Sequence, residues 1–594
     1  MMTRTIYRIP ACIVTVLMFS ISLAGTKELS AQQAADLVLV GGRVITMDDG
    51  RPEGEAIAIQ GTRVLAVGSV EYIRGFIGSD TEVVDVEGNF VMPGFIEGHA
   101  HYIGLGQSKM MLDLMPAGSW EEIVHQVQEA TEVTPPGEWI LGRGWHQSKW
   151  DTPPEGNVEG YPIHDAISAI SPDHPVLLTH ASGHMNFANE YAMRLAGIDG
   201  LNDDGVSEQT PEPEGGEILR NEDGSATGVF RETAQRLITR RLAADEASRS
   251  AAEQADYMRR AIQLAGEECL RNGITSFQDA GTTVEYVKIL REFAARGELP
   301  VRLWVMIRDN NELMRGRLGS LKMIDFGDQF LTVRALKRSI DGALGPHGAW
   351  LLSPYEDLPN SSGLNTASVE SVTETAQLAI ENDFQMCVHA IGDRANREVL
   401  DIYERLFNEN PSILPRRWRI EHAQHLHPED IPRFAQLSVI ASMQGVHCTS
   451  DAVFVPTRLG MRRSKEGAYV WQSLIQSGAV VTNGTDAPVE SIDPIASFYA
   501  SVTRELGDGV TFFPEEAMTR EQALRSYTID CAYAAFEESQ KGSLVPGKLA
   551  DIVVLSNDLL ECSDDEIRDT KVEMTIVGGE IRYIRPDEES PDKE

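Results

Sequence analysis

The chain has 594 residues and only six cysteines, none of them paired as CxxC. Cys12 lies in an N-terminal apolar stretch. The other five, Cys269, Cys387, Cys448, Cys531 and Cys562, are scattered and odd in number. That pattern speaks against a disulfide framework and leaves room for one pair at most. Positive charge is also scarce: 52 Lys and Arg stand against 90 Asp and Glu, a net charge of -38. Nucleic acid is excluded as a partner, because binding it needs clustered cations. Beyond residue 23 no apolar run is long enough to cross a bilayer. The glycine turns Val40-Gly41-Gly42 and Val577-Gly578-Gly579 carry no GxGxxG and lead into no helix, so they are not nucleotide loops. No Gly-x-Ser-x-Gly elbow supports a serine nucleophile.

The first residues read as an export signal. Arg4 and Arg8 precede the mostly apolar Ile9 to Leu23, and small residues follow at Ser22-Leu23-Ala24 and Ser30-Ala31. A signal peptide over 1–31, cleaved after Ala24 or Ala31, is the expectation, and with it a secreted or periplasmic protein. The run is short for a membrane anchor and is interrupted by Pro10.

Both ends of the mature chain read as short strands with glycine turns, as in Asp36 to Val40, Arg43 to Met47, Ala550 to Leu555 and Glu573 to Val577. One small β-sandwich domain built from 35–92 and 541–586 is expected. The middle alternates helix-length segments with short apolar strands: Ile274 to Phe277, Val301 to Ile307, Leu331 to Leu336, Gln385 to His389, Arg419 to His422, Val439 to Met443 and Val480 to Asn483. Alternating βα units imply a parallel sheet, and about eight of them imply an α/β fold of the distorted TIM (β/α)8 barrel type over 93–540. The rhythm breaks after His101, where Gly-, Pro- and acid-rich pieces intervene. An inserted, lid-like subdomain over about 110–245 is expected there, since a structureless loop of that length is improbable.

Barrel active sites lie at the C-terminal ends of the strands. His99 and His101 end the first apolar run, and in a strand residues i and i+2 share a face. The later runs end in Lys337, His389, His422 and Asp486. Each residue alone is unremarkable. Together they occupy successive strand ends, and such a donor set suits a borderline divalent metal such as zinc better than calcium or magnesium.

The order and local wording resemble the amidohydrolase superfamily, in its YtcJ-like (amidohydrolase 3) branch of metal-dependent hydrolases. The matching stretches are Pro93 to His101, Leu141-Gly142-Arg143-Gly144-Trp145, Ser182-Gly183-His184, Lys337 with Asp341-Gly342, His389 to Asp393, Ile420 to Ala423, Gly484 to Pro488 and Gly547 to Asp551. Arg338-Ser339-Ile340 departs from the branch, which has more apolar residues there. The resemblance implies two divalent ions, usually zinc. His99, His101 and Asp486 would hold the buried ion, His389 and His422 the second, and Lys337 would bridge them as a carbamate. Without that modification a single ion remains. It further implies hydrolysis of a non-peptide carbon-nitrogen bond in a small amide-like substrate by a metal-activated hydroxide. Asp486 would serve as general base and then acid, and His447 as an oxyanion stabiliser. Arg143, Trp145, His184 and His347 are candidate substrate contacts. An isomerase or decarboxylase on the same scaffold is the rival enzyme class, and a non-catalytic metal-binding barrel the rival outside enzymes. The expected assembly is a homodimer, on the frequency of two-fold assemblies alone.

Overall fold

The computed structural model describes residues 34–586 apart from 148–149, 151, 182–184, 200–208, 214, 413–416 and 508. The expected signal peptide therefore lies outside the described residues. Among the described residues no helix is long and apolar enough to cross a membrane.

Eight parallel strands form the centre. They are β1 (Phe95–Ala100), β2 (Ile274–Thr282), β3 (Arg302–Ile307), β4 (Leu331–Ser339), β5 (Gln385–Ala390), β6 (Arg419–His422), β7 (Ile440–Gln444) and β8 (Val481–Gly484). Each pairs with the next in chain order. Their residues are buried almost throughout, as expected for strands covered on both faces. The sheet nearly closes on itself between β8 and β1. There the Asp486 N–H donates to the His99 carbonyl at 2.7 Å, and the His101 N–H to the Ala487 carbonyl at 2.8 Å. A Cβ on Gly98 would stand 2.3 Å from the Asn483 carbonyl oxygen, so only glycine lets the two strands meet. The expected distorted (β/α)8 barrel is the observed fold.

Helices cover the barrel because their apolar residues recur on one face. In Ala251–Arg271, Met258, Ile262, Ala265 and Cys269 are buried at helical spacing, and Ser250 with Glu253 forms a capping box that starts the helix. In Asp393–Glu409 the buried face is Val399, Ile402, Tyr403 and Leu406.

The chain ends supply two further sheets. Leu37–Val40, Ala56–Gln60, Arg63–Gly68 and Glu82–Asp85 form one. Phe90–Pro93 joins the C-terminal strands Ile552–Leu555, Val572–Val577 and Glu580–Ile584, with Arg43–Ile45 and Glu53–Gly54, in the other. Leu37, Ile57 and Val67 of the first pack on Val91, Ile552 and Ile576 of the second. Pro93-Gly94 is the joint at which the chain leaves this pair of sheets for β1. Between β1 and β2 lies a separate six-stranded sheet with its own core of Trp120, Trp145, Trp150 and Phe187.

Two strands run further than their apolar stretches suggested. β2 continues through Gln278 and Asp279, and β4 through Lys337 to Ser339. Lys337 is thus inside its strand and not at its end. The barrel interior accepts these polar side chains because other polar groups face them there.

Candidate active site

The barrel strands and the turns after them bring six of the sequence-selected residues, His99, His101, Lys337, His389, His422 and Asp486, towards the mouth of the barrel. His99 Nε2 lies 3.7 Å and His101 Nε2 3.3 Å from the same oxygen, Asp486 Oδ1. These three form one group able to hold a metal ion. A second consists of His422, His447 and Asp486, and in each group the donor atoms lie within 4.8 Å of one another. The second group brings in His447, which the expected ligand set did not include. The His389 ring is next to that of His422, with centroids 4.5 Å apart, but its Nε2 lies 3.6 Å from Asp341 Oδ1.

Neighbours orient these rings. Glu421, fully buried, accepts from His99 Nδ1 and leaves Nε2 as the lone-pair nitrogen facing Asp486. Gln444 Oε1 accepts from His422 Nδ1 at 2.8 Å, with the Gln444 amide nitrogen held by the Ser442 carbonyl. His422 Nε2 is therefore also a lone-pair donor. His447 is set the other way: Gln424 Nε2 donates to its Nδ1 at 3.0 Å, which puts the ring proton on Nε2. The buried atoms His99 Nε2, His389 Nε2, His447 Nε2 and Asp486 Oδ1 have no hydrogen-bond partner. Buried polar atoms are rarely left so, and several at one point mark a place built for a ligand.

Burial sets most of the charge states. It pushes His99 down to about 4, helped by the Lys337 charge. It pushes His389 and His422 well below the usual imidazole range. All three rings are neutral near neutral pH, as metal ligands must be. Burial lowers Lys337 as well, against the pull of Glu421 and Asp486, and Lys337 makes no ion pair among the described residues. For Asp486 burial acts upward, but the close His101 ring and the neighbouring His99, His422 and His447 outweigh it and hold the carboxyl below its ordinary range. Asp486 is an anion.

The remaining candidates are placed elsewhere. Trp145 is a correction: it is 0% exposed, its indole N–H is spent on the Leu178 carbonyl, and it stacks on Trp150. It packs the inserted sheet and offers no face to a substrate. Arg143 lies exposed on the same strand. His347 packs on Tyr355 and pairs with Asp357 at 3.2 Å, not with the histidine group. His184 lies outside the described residues.

The structure adds four carboxylates that sequence reasoning missed. Glu421 and Glu97 are in β6 and β1. Glu97 accepts from the N–H groups of His99 and Thr485 at 3.0 and 2.8 Å, tying β1 to the segment after β8. Asp341 accepts three backbone N–H groups, from Trp350, Ile391 and Gly392, which fixes the loop after β5. Asp279 is buried inside β2, three residues before its end. The signal for Glu421 was available: it is a charged residue inside an apolar strand run, immediately before a selected histidine.

His425, three residues past His422, is fully buried by its neighbours and neither ring nitrogen is hydrogen-bonded. Burial alone drives it down to about 3. The unfolded chain, with an ordinary histidine, takes up this proton first as pH falls. Stability is therefore unaffected by this group above about pH 6.5, and it is lost from there down to the folded value at about 1.4 kcal/mol per pH unit. Urea unfolding of His425→Phe between pH 7 and pH 4 is expected to show a shallower acid loss than the parent. Equal slopes would show that His425 is not the group responsible.

The chain belongs to the amidohydrolase family, whose profile matches residues 82–583. It is 29% identical over 554 residues to the putative amidohydrolase YtcJ of Bacillus subtilis, covering 91% of this chain and 98% of that one. It is 28% identical over 581 residues to an N-substituted formamide deformylase of Arthrobacter pascens, with 93% and 99% covered. Among solved structures, an uncharacterized metal-dependent hydrolase from Pyrococcus furiosus superimposes with a TM-score of 0.70 at 26% identity, covering 88% of this chain and 100% of that one. The expected YtcJ-like branch is the one these relatives represent.

Proposed function

We propose that this protein is a metal-dependent hydrolase that cleaves the carbon-nitrogen bond of a small amide-like molecule. The observation that carries the reading is the convergence of His99, His101 and Asp486 on one point, with buried donor atoms left without partners. That donor set fits a divalent ion, zinc by its nitrogen-rich chemistry. The names of the Arthrobacter and Pyrococcus relatives support the bond class and the metal.

His99, His101 and Asp486 would hold the first ion. His422 and His389 would hold a second, with Lys337 joining them as a carbamate. A buried, unpaired lysine held below its usual range can be the neutral amine that captures carbon dioxide. A bound ion supplies Lewis acidity, making water available as a nucleophile near neutral pH and polarising the substrate carbonyl. The chain supplies the rest. Asp486 Oδ1 takes the proton from the attacking water and returns it to the leaving nitrogen. His447, with its proton on Nε2, donates to the oxygen on which charge develops. This tautomer argues for a donor rather than a ligand, although His447 lies within reach of His422 and Asp486. Export by a signal peptide over 1–31 and a homodimeric assembly belong to the same proposal.

Purified protein is expected to contain tightly bound metal, up to two zinc ions per chain by elemental analysis. It should release amine and carboxylate from simple N-acyl compounds, lose that activity with a chelator, and recover it with zinc. Labelled bicarbonate should give a carbamate carbon signal that Lys337→Met lacks. Protein that stays metal-free in zinc-supplemented buffer would sink the reading. Turnover that yields an isomer or carbon dioxide in place of amine and acid would favour the rival enzyme class.

A further inference from the structure

Arg308 follows β3 and stands at the barrel mouth. Its backbone N–H donates to the Thr282 carbonyl, the last residue of β2, at 2.7 Å. Its side chain lies across Gly281. A Cβ placed on Gly281 would be 2.9 Å from Arg308 Cβ, 3.0 Å from Arg308 Cδ and 3.3 Å from Lys337 Cγ. The arginine stem and the Lys337 stem therefore flank the same missing side chain. Gly281 has φ +133°, a conformation other residues rarely adopt, so this opening is built into the backbone.

Arg308 is exposed and makes no ion pair or side-chain hydrogen bond among the described residues. Nearby carboxylates are engaged elsewhere: Asp279 accepts from the Gly281 N–H at 3.0 Å, and Asp309 from the Val284 N–H at 2.7 Å. Arg338, the neighbour on β4, binds the Asp309 carbonyl and the Ser371 hydroxyl, and it too makes no ion pair. The Arg308 charge is felt at both Lys337 and His389. An unpaired arginine in open solvent would say nothing. Here an arginine without an ion pair among the described residues stands beside the Lys337 stem in a chain of net charge -38, where acids outnumber bases 90 to 52. An anion approaching that surface is repelled overall and needs a local cation to be held.

We propose that Arg308 binds an anionic group of the substrate, so that this site takes amides bearing a carboxylate near the scissile bond, of the N-acyl amino acid kind. The inference rests on the hydrolase reading for its chemistry. Its binding claim can be tested apart from it. The guanidinium fork matches a carboxylate, and lysine at the same place keeps the charge but not the two-point geometry.

The test uses metal-loaded protein and matched pairs: N-acetyl and N-formyl amino acids against their neutral carboxamides. Binding is read by calorimetry, and turnover by amine release. The carboxylates are expected to bind more tightly than their neutral partners. Arg308→Gln should weaken the carboxylates about 10- to 100-fold, mostly in Kd and KM, and leave the neutral compounds and the metal content unchanged. Arg308→Lys should restore part of the loss. Equal binding of charged and neutral partners would overturn the proposal. So would an Arg308→Gln variant that loses metal or slows both partners alike, which would assign Arg308 to the Lys337 region. Arg308-dependent binding without any hydrolysis would keep this inference and refute the hydrolase reading.

Discussion

Asp486→Asn is expected to lower amide turnover by about 10²–10⁴-fold, the usual worth of a positioned proton-transfer group. The carboxylate is the one residue common to both candidate metal groups, so the same change should also reduce bound metal. Asparagine is the informative replacement. Asp486 has φ 60°, in the left-handed region, which Asn tolerates better than most residues. Its backbone N–H still closes the barrel onto the His99 carbonyl. Thermal unfolding should therefore change little while activity collapses. Steady-state kinetics and elemental analysis on the same preparation check both halves. A variant that keeps its metal and turns over within about twofold of the parent would remove Asp486 from the mechanism.

Arg419→Met is expected to be the most destabilising single change near the site, by about 3–5 kcal/mol, because it strands a buried carboxylate. Arg419 and Glu421 are both 0% exposed. The guanidinium holds Glu421 through two bonds of 2.7 and 2.9 Å, the Gly98 carbonyl at 2.8 Å and Ser442 Oγ at 2.7 Å, and also binds Gln278. One side chain thereby ties β1, β2, β6 and β7 beneath the metal group. Burial pushes Glu421 upward, but Arg419 and His99 outweigh it and hold it well below the usual carboxylate range. Removing the cation lets Glu421 protonate and release His99. Denaturant unfolding should show the loss of stability. The milder Glu421→Gln should keep the fold better and weaken metal binding about 10- to 100-fold, as for other groups that orient a ligand histidine. Arg419→Met with parental stability and metal affinity would show that this network is incidental.

The sequence by itself determined the class of fold and most of the positions whose side chains meet at the barrel mouth. Strand periodicity, helix-length spacers and a charged or imidazole residue at each strand end survive into three dimensions because they are local. A strand terminus exposes its last side chains at the barrel mouth whatever the rest of the chain does. His99, His101, His389, His422 and Asp486 were legible for that reason, and so was the composite pair of sheets, whose strands carry their own turn signals. Lys337 was legible only as a strand end, whereas it lies within the strand, because polar residues pointing inward look like an interruption in the sequence.

Only the tertiary structure decided which histidine stands nearest which. His389 and His447 flank His422, with ring centroids 4.5 and 6.1 Å from it, and this arrangement depends on side-chain direction and on the partners Asp341, Gln424 and Gln444, all remote in sequence or silent in pattern. Trp145 resembled a pocket residue because an aromatic ring in a motif looks the same whether it faces a ligand or a core, and burial distinguished them. Glu97, Glu421 and Arg419 acquire their meaning across the barrel, from neighbours up to 388 residues away. Gly281 is an ordinary glycine until β2 and β3 are set side by side and Arg308 is seen lying across it. Local pattern chooses the residues that can do chemistry. Barrel closure, which no local pattern encodes, chooses their partners and leaves some of their polar atoms unsatisfied at the mouth.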